Sequence, residues 1–221
     1  MTQIKPDVST VIFDMDGTLI DTEKYYRIFW KKALACYGYS MTDEQALSMR
    51  SLGRPFAPIR LREMFGDELD YNAVRDCRRK MMEECLEKEG IGLKPGALEL
   101  LKWLKDKGIT TAVATATDPE RTIKYLKRTG LAQFMDRVVS AAMVKEGKPS
   151  PDIYLLACAQ LNVKPEDTFA VEDSPNGILS AFRAGCNVVM VPDQTQPDEE
   201  LQKLLYACVP VLTDIKGLFA C

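Results

Sequence analysis

Histidine is absent from this 221-residue chain, and its absence excludes much chemistry. Ser-His-Asp and Cys-His nucleophilic mechanisms, histidine-ligated zinc and imidazole acid–base catalysis are all ruled out. Any catalysis must run on carboxylates, hydroxyls and lysine. A strong charge imbalance is also lacking. The formal net charge of -3 gives no overall attraction to nucleic acid or to an anionic membrane. No apolar run approaches the roughly 20 residues that cross a bilayer, and residues 1–9 carry Lys5, Pro6 and Asp7 without an apolar leader core. The seven cysteines, Cys36, Cys77, Cys85, Cys158, Cys186, Cys208 and Cys221, are scattered, odd in number and free of any CxxC pair, so neither a disulfide framework nor a thiolate metal site is expected. Cys158 and Cys186 stand in apolar stretches, where a thiol acts as a small hydrophobe, and Cys221 is expected to be exposed. These absences predict a cytoplasmic protein with reduced thiols and neither a membrane nor a nucleic-acid partner; a monomer is the expectation.

What is present suits a compact α/β protein. The 46% hydrophobic content is ordinary for a globular chain, and the length allows one large domain or a core with a modest insertion. Five short segments are rich in β-branched and apolar residues: 10–13, 110–114, 137–140, 168–171 and 187–191. Helix-period segments lie between the later ones. Residues 97–107 stop at Gly108 and 119–129 stop before Gly130, while 150–161 carry Pro151 near the first turn and 178–184 end at Gly185. Strands alternating with helices of this length predict βαβ units, hence a mostly parallel sheet.

The first interval breaks that rhythm. About ninety residues separate the first two strands, far more than one crossover helix needs. Within it, residues 23–37, 43–50, 58–65 and 71–89 have helical periodicity, with Phe29, Ala33 and Leu34 on one apolar face. This predicts a helical domain at 22–92 inserted into a core formed by 1–21 and 93–221, its exit marked by Gly90, Gly92, Pro95 and Gly96. Both junctions adjoin the end of the first strand, an arrangement that suits a cap closing over a ligand and excluding water.

Four strand ends carry residues of chemical interest. Asp14, Asp16 and Gly17 follow the apolar run Val11–Phe13. At the carboxyl end of a parallel strand, two acids two residues apart suggest a divalent cation and a phosphate, although Asp and Gly also simply shape turns. Thr115 ends the second strand too early to cap the next helix, a role that suits Thr117 or Asp118, and its hydroxyl is free for a phosphate oxygen. After the third strand, Gly147 permits close backbone approach and Pro149 restricts the chain, fixing where the Lys148 ammonium projects. A cation held there would neutralise a phosphate and the charge developing during its transfer. Lys145 is the competing lysine. Glu172 and Asp173 follow the fourth strand, with Ser174 as the cap and Pro175 as the first residue of the next helix. Two acid clusters at different strand ends would repel unless a cation lay between them, and hard oxygen ligands with retained waters are what magnesium prefers.

An acid pair, a threonine, a lysine and a second acid pair thus follow strands one to four in that order. The succession resembles the haloacid dehalogenase-like phosphatase superfamily, with its DxDGT or DxDGV motif, Ser or Thr, Lys and terminal acid pair. The resemblance runs from about residue 9 to 215, and the helical insertion looks like the cap of the β-phosphoglucomutase-like branch. It implies a Rossmann-like parallel sheet of order 5-4-1-2-3 with helices on both faces, bringing Asp14 and Asp173 onto one Mg2+. By the same resemblance Asp14 would be the nucleophile, forming an aspartyl phosphate and also binding the metal. Asp16 would move protons and lend its backbone carbonyl to the metal. Glu172 and Asp173 would complete the metal ligands, and Thr115, the backbone of Ala116 and Lys148 would hold the phosphoryl oxygens.

The implied activity is magnesium-dependent hydrolysis of a small phosphorylated metabolite such as a sugar phosphate. Selectivity would then fall to the insertion, where Tyr25, Tyr26, Arg50, Arg54 and Lys80 are candidate contacts. In the mutase proper a histidine stands at the place of Tyr26 and a valine at that of Thr18. Both departures favour a phosphatase over a mutase that returns the phosphoryl group to a sugar. A signalling phosphoacceptor or non-catalytic binding module is the third reading, but the phosphoacceptor fold places its acceptor after the third strand, where this chain has no Asp before Lys148.

Overall fold

The computed structural model describes residues 8–219; Cys221 lies outside them. Six strands make one parallel sheet: β1 (Thr10–Phe13), β2 (Thr110–Thr115), β3 (Arg137–Ser140), β4 (Thr168–Glu172), β5 (Asn187–Met190) and β6 (Ala207–Cys208). The order is β3-β2-β1-β4-β5-β6. Taken from the other edge, this is the expected 5-4-1-2-3 with a sixth strand added outside β5. That addition was not foreseen, because two residues are too few to show any alternation. β1 is buried along its whole length, as expected for a central parallel strand covered on both faces. Thr10 lies opposite Thr110 on one side and Thr168 on the other. The sheet grows outward from β1 in both directions, so the crevice between the carboxyl ends of β1 and β4 is the topological switch point, where open α/β sheets hold ligands. The Asp14 N–H donates to the Val171 carbonyl at 2.9 Å, carrying the ladder one residue beyond β1.

Four helices lie between β1 and the rest of the sheet: α1 (Glu23–Ala35), α2 (Asp43–Ser48), α3 (Phe56–Phe65) and α4 (Tyr71–Glu89). Thr42 and Gln45 form a reciprocal capping box at α2, Asp70 caps α4 by accepting from the Asn72 and Ala73 N–H groups, and Gly90, with φ of 83°, ends α4. The helices bury their own apolar cluster, which includes Trp30, Leu34, Met49, Leu61 and Val74. Phe29, Met82 and Leu86 instead join the cluster beneath the sheet, so α1 and α4 both reach from the insertion into the core.

The remaining helices are α5 (Ala97–Asp106), α6 (Pro119–Arg128), α7 (Asp152–Leu161), α8 (Pro175–Arg183) and the short α9 (Glu199–Gln202). Alternation along β1 sends Val11 and Phe13 toward α5 and α6, into a cluster with Leu100, Leu104, Tyr125 and Leu126. Ile12 points to the opposite face and packs with Ile153, Tyr154, Ile178 and Ala181 of α7 and α8. Among the described residues no helix is long and apolar enough to cross a membrane.

The insertion's cluster gives a direct test of its contribution to stability. Leu61 is fully buried on α3, whereas Ile59 on the same helix is exposed. Leu61→Ala is expected to lower the unfolding free energy by about 2–5 kcal/mol and Ile59→Ala to change it by no more than about 0.5 kcal/mol, both measured by urea denaturation.

Candidate active site

The turn after β1 exists because of Gly17. Its φ is 85°, and a Cβ there would lie 2.6 Å from Asp173 Oδ2, so both conformation and space demand glycine. The tight turn brings Thr18 under the end of β4, where its hydroxyl donates to Asp173 Oδ1 at 3.3 Å. At the end of β4, Gly177 meets a second steric demand. A Cβ on it would stand 2.0 Å from Glu172 Oε2, so its bare backbone lets that carboxylate lie against the start of α8, where Ser174 accepts from the Gly177 N–H at 3.2 Å.

Lys148 ties the two acid clusters together. Its Nζ donates to Asp14 Oδ1 at 2.6 Å and to Glu172 Oε1 at 2.5 Å, and the Tyr154 hydroxyl donates to the same Glu172 oxygen at 2.6 Å. Lys148 is completely buried and Lys145 is exposed. The close approach expected at Gly147 is made by the insertion. The Gly147 N–H donates to the Arg54 carbonyl at 2.7 Å and the Gly53 N–H to the Lys148 carbonyl at 2.9 Å, and a Cβ on Gly53 would lie 2.6 Å from Gly147 Cα.

The strand ends are overloaded with negative charge. Asp14, Asp16, Glu23, Glu172 and Asp173 are all buried there, against the buried cations Lys148 and Arg50. Burial holds the Asp14 carboxyl well above the usual carboxylate range; Lys148 opposes the shift, while Glu172, Asp173 and Asp16 add to it. Burial and then Glu172 push Asp173 up to about 7, with Arg50 opposing. Glu23 is raised by burial and by Asp173 and Asp16. Burial alone would depress Lys148, but Asp14 and Glu172 outweigh it and hold the ammonium above its ordinary value. Asp14, Glu172 and Asp173 each offer an oxygen within 4.8 Å of the others. Asp14 Oδ2 and Asp173 Oδ2 are buried with no hydrogen-bond partner among the described residues. Unsatisfied buried carboxylate oxygens are costly, and a hard, oxygen-preferring divalent cation is the group whose bonding they fit.

A cavity of about 200 Å³ separates these strand ends from the insertion. Asp14, Asp16, Thr115 and Ala116 line it from the core, and Glu23, Tyr26 and Arg54 line it from the insertion, Glu23 and Tyr26 close to the strand ends; Lys148, Glu172 and Asp173 lie outside the lining. Both oxygens of Asp16 are held: Thr22 donates to Oδ1 at 2.6 Å and Thr117 to Oδ2 at 2.7 Å. Since Thr117 gives its proton to Asp16, Tyr26 is the donor in its 2.9 Å contact with Thr117. Burial and the nearby Asp16 push the Tyr26 phenol up to about 12, so it keeps its proton. The Thr115 hydroxyl accepts from the Thr117 N–H at 3.1 Å, leaving its own proton to donate. Capping α6 falls to Asp118, which accepts from the Arg121 N–H.

Three of the expected cavity contacts, Arg50, Lys80 and Tyr25, lie elsewhere. Arg50 does not line the cavity. It is buried between insertion and core, 3.7 Å from Asp173 Oδ2 and donating to Thr195 Oγ1 at 2.5 Å, because the acids attract the nearest guanidinium. Lys80 is exposed; α4 presents Tyr71, Arg75, Arg78 and Arg79 to the cavity, and nine residues beyond Tyr71 is about half a turn away from that face. Tyr25 bonds Glu89 at 2.8 Å and lies outside the lining. Sequence reasoning missed Glu23, Thr22, Thr117, Tyr154 and the arginines of α4. Only the arginines left a readable signal, their spacing along one helical face.

A parallel sheet with buried acids and a lysine at its switch point, roofed by helices, defines an α/β enzyme of the hydrolase type. The chain belongs to the haloacid dehalogenase-like hydrolase family, whose sequence profile matches residues 11–191. It is 35% identical over 184 residues to a phosphorylated carbohydrates phosphatase of Thermotoga maritima, covering 80% of this chain and 82% of that protein. It is 32% identical over 198 residues to hexitol phosphatase A of Escherichia coli, covering 89% of each. Among solved structures, CbbY of Rhodobacter sphaeroides in complex with phosphate superposes with a TM-score of 0.77 at 27% identity, over 94% of this chain and 96% of that one. The β-phosphoglucomutase of Clostridium difficile shares the fold, with a TM-score of 0.81 at 22% identity and 96% of each chain covered.

The packing around Glu172 predicts a sharp contrast between glycines. Gly177→Ala would push the Glu172 carboxylate away from Lys148 and Tyr154, with an expected loss of about 1–3 kcal/mol. Gly217 has open space around its Cβ position, and Gly217→Ala should shift stability by no more than about 0.5 kcal/mol. Urea denaturation of the two variants measures the difference.

Proposed function

We propose that this protein is a magnesium-dependent, cytoplasmic phosphatase of small phosphorylated carbohydrates, in which residues 22–92 act as the cap over a core of 1–21 and 93–221, and that it works as a monomer. The observation that carries the reading is the placement of Lys148 between Asp14 and Glu172, beside carboxylate oxygens that lack partners. The phosphatase names of the relatives support it.

Asp14, the backbone carbonyl of Asp16, Glu172 and Asp173 would hold magnesium, which when bound neutralises the phosphate and its developing charge. The third N–H of Lys148, the Thr115 hydroxyl and the Ala116 backbone N–H hold the phosphoryl oxygens. Asp14 attacks phosphorus in line, forming an aspartyl phosphate, while Asp16 passes its proton to the departing alkoxide. Asp16, now a carboxylate, takes a proton from a water that attacks phosphorus, releasing inorganic phosphate and restoring Asp14. Thr22 and Thr117 orient Asp16 for both proton transfers.

Phosphate release from a panel of sugar and polyol phosphates should depend on magnesium and stop on addition of EDTA. Isomerisation of β-glucose 1-phosphate to glucose 6-phosphate with little release would identify a mutase instead. Asp14→Asn should abolish turnover, and Lys148→Ala should lower kcat by about 100- to 1000-fold, as for loss of one charge-stabilising donor. Substantial magnesium-dependent turnover by Asp14→Asn would overturn the nucleophile assignment.

A further inference from the structure

One cation reaches the metal-binding acids from the insertion. Arg50 lies just after α2, only 3% of it is exposed, and its Nη1 stands 3.7 Å from Asp173 Oδ2. That separation makes an ion pair without a hydrogen bond. Nε and Nη1 of Arg50 and Oδ2 of Asp173 are all buried without a hydrogen-bond partner among the described residues. Nη2 has an acceptor, Thr195 Oγ1. The backbone is held as well, since the Asn176 amide donates to the Arg50 carbonyl at 2.8 Å and to the Ser48 carbonyl at 3.4 Å. The guanidinium is thus anchored on one side and left facing a carboxylate oxygen on which it does not close.

The same oxygen is one of the two whose missing partners fit a divalent ion. Once a metal takes it, little charge is left there for a second cation, and the ion and Arg50 would stand a few ångströms apart in low dielectric, where like charges repel strongly. Among the described residues, Asp173 is the one carboxylate within ion-pair distance of Arg50. Glu23 also lies in the field of Arg50, but it belongs to the insertion itself, so pairing with it cannot hold the insertion to the core.

We propose that Arg50 competes with magnesium for Asp173: it latches the insertion over the strand ends when the metal is absent, and magnesium binding releases the latch so that a phosphorylated substrate can enter. Loading the metal and loosening the cover are then one event. The backbone bonds that would open are the nearest ones of the seam, from the Gly53 N–H to the Lys148 carbonyl and from the Gly147 N–H to the Arg54 carbonyl. Coupling of this kind is reciprocal, so a protein without the latch binds the metal more tightly. The inference rests on the magnesium reading of the site.

Calorimetry of magnesium binding reads the competition directly, in alkaline buffer where protons do not compete for the carboxylates. Arg50→Met should bind magnesium at least about 10-fold more tightly than wild type, because a neighbouring full charge changes a carboxylate's proton affinity by about 10- to 1000-fold. Arg50→Lys, which keeps the charge, should stay near the wild-type value. Arg60→Gln, which removes an exposed arginine of α3, should change nothing. Hydrogen–deuterium exchange of the wild-type protein decides the matter even where Arg50→Met does not fold: the Gly53 and Gly147 amides should exchange faster with magnesium than with EDTA. Equal or weaker magnesium binding by a folded Arg50→Met protein, or exchange of those amides unchanged or slowed by magnesium, overturns the latch and leaves the metal site standing. Absence of magnesium binding in wild type and variant alike overturns the metal reading, and the latch with it.

Discussion

The Lys148 ammonium is the fixed point of this molecule. Parallel strands converge on the switch point, and their continuations place Asp14, Glu172 and Asp173 within a few ångströms of one another in the interior. Without a cation among them, the mutual repulsion of such a group in low dielectric would oppose the pairing of β1 with β4. Lys148 bonds one acid from each strand, so the charge pattern is part of how the sheet closes. One ammonium does not balance the acids, however, and the oxygens left without donors mark where a divalent ion would complete the set.

The same loop couples the sheet to the helical insertion. Gly147 and Gly53 meet backbone to backbone, with hydrogen bonds running both ways between 53–54 and 147–148. Arg50 adds a second tie near Asp173, and the Asn176 amide donates to the Arg50 carbonyl at 2.8 Å. The segment that closes the cavity is therefore registered against the residue that neutralises its floor. Displacing the 51–54 loop would disturb Lys148 and Asp173 together, so access to the cavity and charge balance within it depend on one seam.

What was legible in the sequence was local. Val11 to Phe13 show a buried strand by their β-branched and aromatic character, and Asp14 and Asp16 follow it at once. Lys148 stood out because glycine and proline beside it restrict the backbone in ways that only a committed position needs. Ser174 and Pro175 announced the start of α8. The corrections fall where tertiary packing decides: Arg50 lies in the turn after α2 and Lys80 on α4, both oriented by contacts distant in sequence, and β6 exists only because β5 offers it an edge. Thr117 was read as a candidate cap and is a donor to Asp16, since Asp118 takes the cap and frees it. No local pattern distinguishes those two outcomes.

The cavity is electrically asymmetric, and the asymmetry follows from fold and insertion meeting there. Its floor gathers acids because strand ends at a switch point are where backbone turns and oxygen ligands coincide. Its opposite wall gathers arginines because α4 lays one face along the opening. Tyr26 links the two sides: its ring lies beside Arg78 and its hydroxyl reaches Asp16 through Thr117. One side chain of the insertion thus touches both the cationic wall and the hydrogen-bond chain that ends on Asp16, so a displacement of α1 would be felt at both sides of the cavity at once.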